Sequence, residues 1–118
     1  DQVVTQEMID SFVEAQKEKY PNTTFDITLA VVSEADAKTK YLEDPTAAAD
    51  VFTFANDQLT DLVKAGALAE VTRNKDDIVA RNGEGSIGSA TKDGALYAYP
   101  MTADNGYFLY YNKAVRKI

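Results

Sequence analysis

Hydrophobic residues recur at the spacing of an amphipathic helix over the first twenty residues of the chain. Val4, Met8 and Phe12 fall on one side of this helix, and mainly acidic and lysine residues fall on the other. Pro21 ends the helix, and over residues 25–31 apolar side chains then alternate with polar ones, which is typical of a half-buried strand. The pattern therefore predicts a helix followed by a strand.

The rest of the chain continues this alternation of helices and short strands. Ser33 and Asp36 resemble a capping box, which predicts a second helix through Leu42 that ends at Asp44 and Pro45. The further predicted elements are a strand at 51–54, a helix from 56 to 66, a short extended exit at 67–71, a helix at 74–80, a turn at 82–85, a turn at 92–94 leading into a strand at 95–99, a strand at 107–111 and a helix from 112. This order is typical of an α/β fold with a mainly parallel sheet flanked by helices.

Polar residues stand where one of these strands leads directly into a helix. Asn56, Asp57 and Gln58 follow the strand at 51–54, and ligands of open α/β sheets bind beyond the carboxyl ends of strands. Asn56 is also a good helix N-cap, so a purely structural role is the alternative. Phe54 favours binding, because an apolar ring beside a carboxylate and amides suits a sugar, which offers one face for stacking and hydroxyl groups for hydrogen bonds.

Two other polar clusters follow predicted strands, and the second of them is the weaker candidate. Asp104 and Asn105 follow a Tyr-Pro pair at the end of another predicted strand, and an Asx turn is the alternative there. Glu34 and Asp36 follow the strand at 25–31, where helix capping is favoured over ligand binding. The aromatic residues at 107–111 are expected to serve packing.

Composition narrows the function. A length of 118 residues predicts one domain, and a net charge of -7 opposes binding to nucleic acid or anionic lipid. The chain has no His and no Cys, which excludes disulfides, thiolate nucleophiles, histidine bases and the usual zinc sites. Most hydrolase mechanisms are thereby removed, and neither a cofactor nor a metal is expected.

Two segments of the chain resemble a known family. ADVFTFANDQLTDLVKAGALAEVT and KDGALYAYPMTADNGYFLYYNKAV are similar to the amino-terminal lobe of extracellular solute-binding proteins of sugar ABC importers, the group typified by maltose-binding protein. The resemblance extends from about Met8 to the end and keeps the order and spacing of several elements. It implies a periplasmic-binding-protein-like lobe of type II, with residues 1–118 forming part of the first lobe of a two-lobe protein.

The resemblance also implies a set of sugar contacts. The family's motif after the D-V-F strand falls on the residues at 54 and 56–58, and its acidic contact after the Tyr-Pro pair falls on Asp104. Phe54 stands where maltose-binding protein has Trp, and Gln58 stands where it has Arg, so the fit is weakest at these two positions. With the neighbouring Asn105 included, the candidate substrate-binding residues are Phe54, Asn56, Asp57, Gln58, Asp104 and Asn105.

The family's first strand, which normally precedes the first helix, is not present in this sequence. We therefore expect a partial lobe that pairs with a second lobe or a neighbouring chain to complete its sheet, or that leaves backbone donors unpaired. The implied cleft is then only half formed within these 118 residues.

The resemblance implies a carbohydrate-binding receptor without catalysis, whose first expected ligand is a malto-oligosaccharide. It implies a membrane permease as partner and a place outside the cytoplasm, as a membrane-anchored lipoprotein or in the periplasm. One alternative is the same fold binding an amine or a peptide. A glycoside hydrolase fragment with Asp57 and Asp104 as an acid and base pair is the other.

Overall fold

The computed structural model describes residues 2–102, which fall into two compact units that divide between Val32 and Ser33. Most of the regular secondary structure in these residues is helical. The helices are α1 (Gln2–Lys19), α2 (Ala37–Glu43), a short 3₁₀ helix (Asn56–Gln58), α3 (Leu59–Lys64), α4 (Lys75–Arg81) and α5 (Glu84–Ser89). The strands are β1 (Thr91–Lys92) and β2 (Ala95–Leu96).

The first unit consists of α1 and the chain that returns from it. The predicted helix is confirmed as α1, and the turn at Pro21 follows its end. Its apolar side is not buried in this structure, because Val4, Met8 and Phe12 are each more than half exposed. Phe12 on α1 meets Phe25 edge to face, with ring centroids 6.3 Å apart. Residues 23–33 form neither a helix nor a paired strand, so the strand predicted at 25–31 is wrong for this structure. Its alternating pattern is present, but none of the residues from 2 to 102 pairs with it in a ladder.

The second unit begins with a turn and α2, which ends at Asp44 as predicted. The predicted capping box is wrong: Asp36 stands at the N-cap but makes no hydrogen bond from its side chain to the helix. Ser33 instead closes the preceding turn, since its Oγ accepts a 3.3 Å hydrogen bond from the N–H of Ala35 and its carbonyl accepts one from the N–H of Asp36. The cap of α2 must therefore come from elsewhere.

The helix predicted after the strand at 51–54 is confirmed, with a different start. Asn56 is not its N-cap; the N-cap position is Ala55, and Asn56 begins the 3₁₀ helix that continues into α3. Gly66 ends α3 as predicted, with a φ of 70° that suits glycine. The N–H of Ala67 bonds to the carbonyl of Leu62 at 2.9 Å, which with the bond from Gly66 to Val63 makes a Schellman motif.

A small core forms where α4, α5 and the hairpin meet. The predicted helix at 74–80 is confirmed as α4, but the turn predicted at 82–85 is partly wrong, because Glu84 already belongs to α5. Asp93 and Gly94 both have positive φ, which makes the predicted tight turn a type I′ hairpin between β1 and β2. The core residues are Val71, Ala90 and Leu96, with Ile78, Ile87 and Ala98 packed against them.

The predicted mainly parallel sheet is not formed by residues 2–102. Their paired strands are β1 and β2, which are antiparallel, and β2 ends at Leu96 rather than Tyr99. The segments at 25–31 and 51–54 have no ladder partner within the described part of the chain, and parallel strands obtain such partners only through long crossovers. The strand predicted at 107–111 and the helix predicted from 112 lie outside the described residues.

Candidate functional site

The polar segment after residues 51–54 divides into exposed and buried side chains. Asn56 and Asp57 are exposed on the 3₁₀ helix, whereas Gln58 is only 8% exposed. Within the described part of the chain, no hydrogen bond engages the side chain of Asn56 or Asp57, so both remain available to a ligand. The carboxylate of Asp57 and the amide of Asn56 together offer acceptors and donors to hydroxyl groups.

Gln58 is bound to the turn before α2. Its Nε2 donates to the backbone carbonyls of Glu34 and Ala35 at 3.1 and 3.0 Å, and its Oε1 accepts a 3.3 Å hydrogen bond from the N–H of Lys38. Both amide N–H groups are occupied, so donation to a sugar would require one of these bonds to be exchanged. That contact stays a prediction.

An ion pair lies beside this network. Lys38 Nζ bonds to Asp61 Oδ2 at 2.8 Å. The hydrogen bond to Asp61 and its charge raise the pKa of Lys38, with a smaller contribution from the charge of Asp57. The same hydrogen bond, together with the charge of Lys38, lowers the pKa of Asp61. A cation thus stands near the exposed carboxylate of Asp57.

Three aromatic rings form a row next to the polar segment. Tyr41 of α2 stacks on Phe52 with ring centroids 5.5 Å apart, and Phe52 is tilted against Phe54 at 5.8 Å. All three side chains are partly buried. Phe54, the residue predicted to stack on a sugar, is therefore supported by a neighbouring ring, and only two residues separate it from Asp57.

The segment after the Tyr-Pro pair approaches the same region. Thr53 Oγ1 lies 3.8 Å from Met101 Sδ, so the residue before Phe54 contacts the stretch that leads to the second predicted polar cluster. Asp104 and Asn105 themselves lie outside the described residues. Their role in the site stays a prediction.

The weaker candidates Glu34 and Asp36 are both exposed, and neither caps α2 through its side chain. Glu34 enters the network only through its backbone carbonyl. Sequence reasoning missed the links from Gln58 to the turn and from Lys38 to Asp61, as well as the stacking of Tyr41. These partners are separated by 11 to 24 residues, and no local pattern marks such pairs.

Two open grooves occur in the first unit. They have volumes of about 400 and 270 Å³ and are lined by residues of α1 and of the stretch 25–29. None of the candidate residues lines them. In residues 2–102 no cluster of acidic side chains is arranged to hold a metal ion. No helix of this part of the chain has the length and apolar character needed to cross a bilayer.

Comparison with known proteins finds matches that cover most of the chain. Residues 7–117 match the family model described as bacterial extracellular solute-binding protein. A structure solved with acarbose is similar at 36% identity and a TM-score of 0.64, covering 75% of this chain and 24% of that one. The maltodextrin-binding protein MalE1 from L. casei BL23, solved without ligand, is similar at 30% identity and a TM-score of 0.63, with 77% and 25% coverage.

The chain thus spans about a quarter of the length of these two structures. No curated protein matches it significantly.

Proposed function

This chain belongs to the family of bacterial extracellular solute-binding proteins, and from that premise we propose that it forms one wall of a carbohydrate-binding cleft. The observation that carries the proposal is the pairing of the supported Phe54 ring with the exposed, unbonded Asp57 and Asn56. Sugars require this combination of an apolar face and directed hydrogen bonds.

Each residue has a distinct role in the proposed wall. Phe54 stacks on the C–H face of a sugar ring, Asp57 accepts hydrogen bonds from hydroxyl groups, and Asn56 both donates and accepts. Asp104 and Asn105 contribute further polar contacts. The proposed ligand is a malto-oligosaccharide, and the likeness to a maltodextrin-binding protein and to a structure solved with acarbose supports this class.

The chain acts within a larger assembly in this proposal. A second lobe supplies the opposite wall and further segments complete a mainly parallel sheet, since residues 2–102 contain one antiparallel hairpin. Closure around the sugar is then favoured because the ligand touches both lobes. The closed receptor delivers its sugar to an ABC-importer permease, from the periplasm or from a lipoprotein anchor, and performs no catalysis.

Calorimetric titration of the complete protein that carries this chain tests the proposal. The panel contains maltotriose, unrelated oligosaccharides, polyamines and short peptides. We expect saturable heat with maltotriose and no sugar hydrolysis afterwards. Heat only with amines or peptides would overturn the carbohydrate assignment, and release of glucose would establish a glycoside hydrolase instead.

Substitution of Asp57 tests the wall itself. Asp57→Asn removes a charged acceptor, and hydrogen bonds to charged groups contribute about 1.5–3 kcal/mol, so we expect roughly 10- to 100-fold weaker binding. Asp50→Asn is the matched control, because Asp50 is exposed and no described residue bonds to it. Equal affinity of the two variants would show that Asp57 does not touch the ligand.

A further inference from the structure

The carboxamide of Gln58 has partners that fit one orientation only. A primary amide carries two N–H donors and one carbonyl acceptor, and here it faces two backbone carbonyls and one backbone N–H. The flipped amide would point its oxygen at the carbonyls of Glu34 and Ala35 and its NH₂ at the N–H of Lys38. Repulsion at all three contacts excludes that arrangement.

One of these bonds caps a helix. Lys38 is the second residue of α2, where a backbone N–H has no partner within the helix. Asp36 at the N-cap leaves this donor unbonded, and Gln58 accepts from it instead, from 20 residues further along the chain. Gln58, which lies outside α2, therefore accepts the hydrogen bond that the side chain of a Ser, Thr or Asp at the N-cap usually accepts.

Among residues 2–102, Gln58 is the one polar residue that is buried. It lies in the same short 3₁₀ helix as Asn56 and Asp57. The 3₁₀ helix runs directly into α3, whose Leu59 and Leu62 are buried. The three residues are thus fixed to the core on the α3 side. On the other side, the amide of Gln58 is what joins them to the turn before α2.

We propose that Gln58 is a positioning residue, which sets the orientation of Asn56 and Asp57 toward the ligand by holding the turn at residues 33–36 against the 3₁₀ helix. This role differs from direct contact with a sugar, because the side chain is nearly enclosed and both of its donors are occupied. The binding part of the proposal rests on the proposed carbohydrate function. The structural part does not.

Gln58→Met gives the first test, since it keeps the length of the side chain and removes all three hydrogen bonds. In the complete protein we expect unchanged far-UV circular dichroism but about tenfold weaker binding of maltotriose. The three backbone groups would lose their partner in the protein, which loosens the turn, and only part of that loosening reaches the ligand. Amide hydrogen exchange of the peptide spanning 33–42 should become faster than in the wild-type protein.

Gln58→Glu adds a readout that loss of structure alone would not give. At pH 7.5 the carboxylate faces two carbonyls and repels them, so binding is weakened. Burial and these carbonyls raise the pKa of the introduced carboxyl above its usual range, and the protonated acid again donates to a carbonyl. The affinity deficit relative to wild type should therefore shrink from pH 7.5 to pH 5, whereas the deficit of Gln58→Met should stay constant.

Asp61→Asn is the matched control, because it breaks the exposed bond between Lys38 and Asp61 and leaves the Gln58 network intact. We expect its affinity and its exchange at 33–42 to stay close to wild type. Wild-type affinity in Gln58→Met would overturn the proposal. So would weakened affinity with unchanged exchange at 33–42, which would make Gln58 a direct contact. If the wild-type protein binds no maltotriose, the proposed function fails, and the exchange comparison alone decides whether Gln58 holds the turn.

Discussion

Replacement of Leu62 by alanine tests how much the packing of α3 stabilises the protein. This helix directly follows the 3₁₀ helix that carries Asn56 and Asp57 of the proposed wall, which is called the candidate wall below. Leu62 is 0% exposed, so the change removes about three buried methylene equivalents at roughly 0.8 kcal/mol each. The cavity left behind adds to this cost, and comparable substitutions lose about 2–5 kcal/mol. We therefore expect Leu62→Ala to lower the free energy of unfolding by about 3 kcal/mol.

Urea unfolding of the ligand-free complete protein measures this loss, as the shift of the midpoint multiplied by the slope of the free energy against urea. Hydrogen exchange of the peptide over 59–71 reports on the same helix locally. Val51→Ala is the control, because Val51 is 89% exposed and its truncation should change stability by less than about 0.5 kcal/mol. Similar losses in the two variants, or a loss below about 1 kcal/mol for Leu62→Ala, would refute the packing described for α3.

Two further predictions concern glycine substitutions and one ion pair. Gly94→Ala should destabilise the protein by about 1–2 kcal/mol, because Gly94 has a φ of 81°. Gly85→Ala within α5 should stabilise the protein by about 0.5–1 kcal/mol, because alanine favours the helix and the added Cβ meets nothing within 4 Å; thermal unfolding of the two variants measures both changes. The pKa of Asp61 is lowered by its bond to Lys38, so this pair stabilises the fold at neutral pH and the contribution disappears as the pH falls through the lowered pKa. Urea midpoints measured at stepped pH should fall less steeply in Asp61→Asn over that acidic range.

The elements that local sequence determines were predictable. The apolar spacing of α1, the breaker that follows α2 and the glycine that ends α3 each act within a few residues of the helix they define. The hairpin follows from Asp93 and Gly94, since both central positions of a type I′ turn require positive φ. In these cases the residues that determine an element lie within that element or next to it in the sequence.

Features that depend on distant partners were not predictable in this way. An alternating segment such as 25–31 becomes a strand only when another backbone pairs with it, and its sequence does not supply that partner. The short helix α5 was hidden for a different reason: it contains Gly85 and Gly88, which are poor helix formers, and it is held through Ile87 against the core. Tertiary packing there outweighs local propensity.

Prediction of the candidate wall from sequence is limited in the same way, because the role of each single residue depends on distant partners. Asn56, Asp57 and Gln58 are all polar, and a 3₁₀ helix turns about 120° per residue, so they point in different directions. Which one faces inward depends on partners for Gln58 that stand 20 to 24 residues earlier. A polar motif therefore predicts where a binding wall lies, but it does not assign a role to each of its members. We therefore expect a buried amide whose donors are satisfied within the protein to influence affinity through the placement of its neighbours, and an exposed carboxylate without partners to influence it by contact.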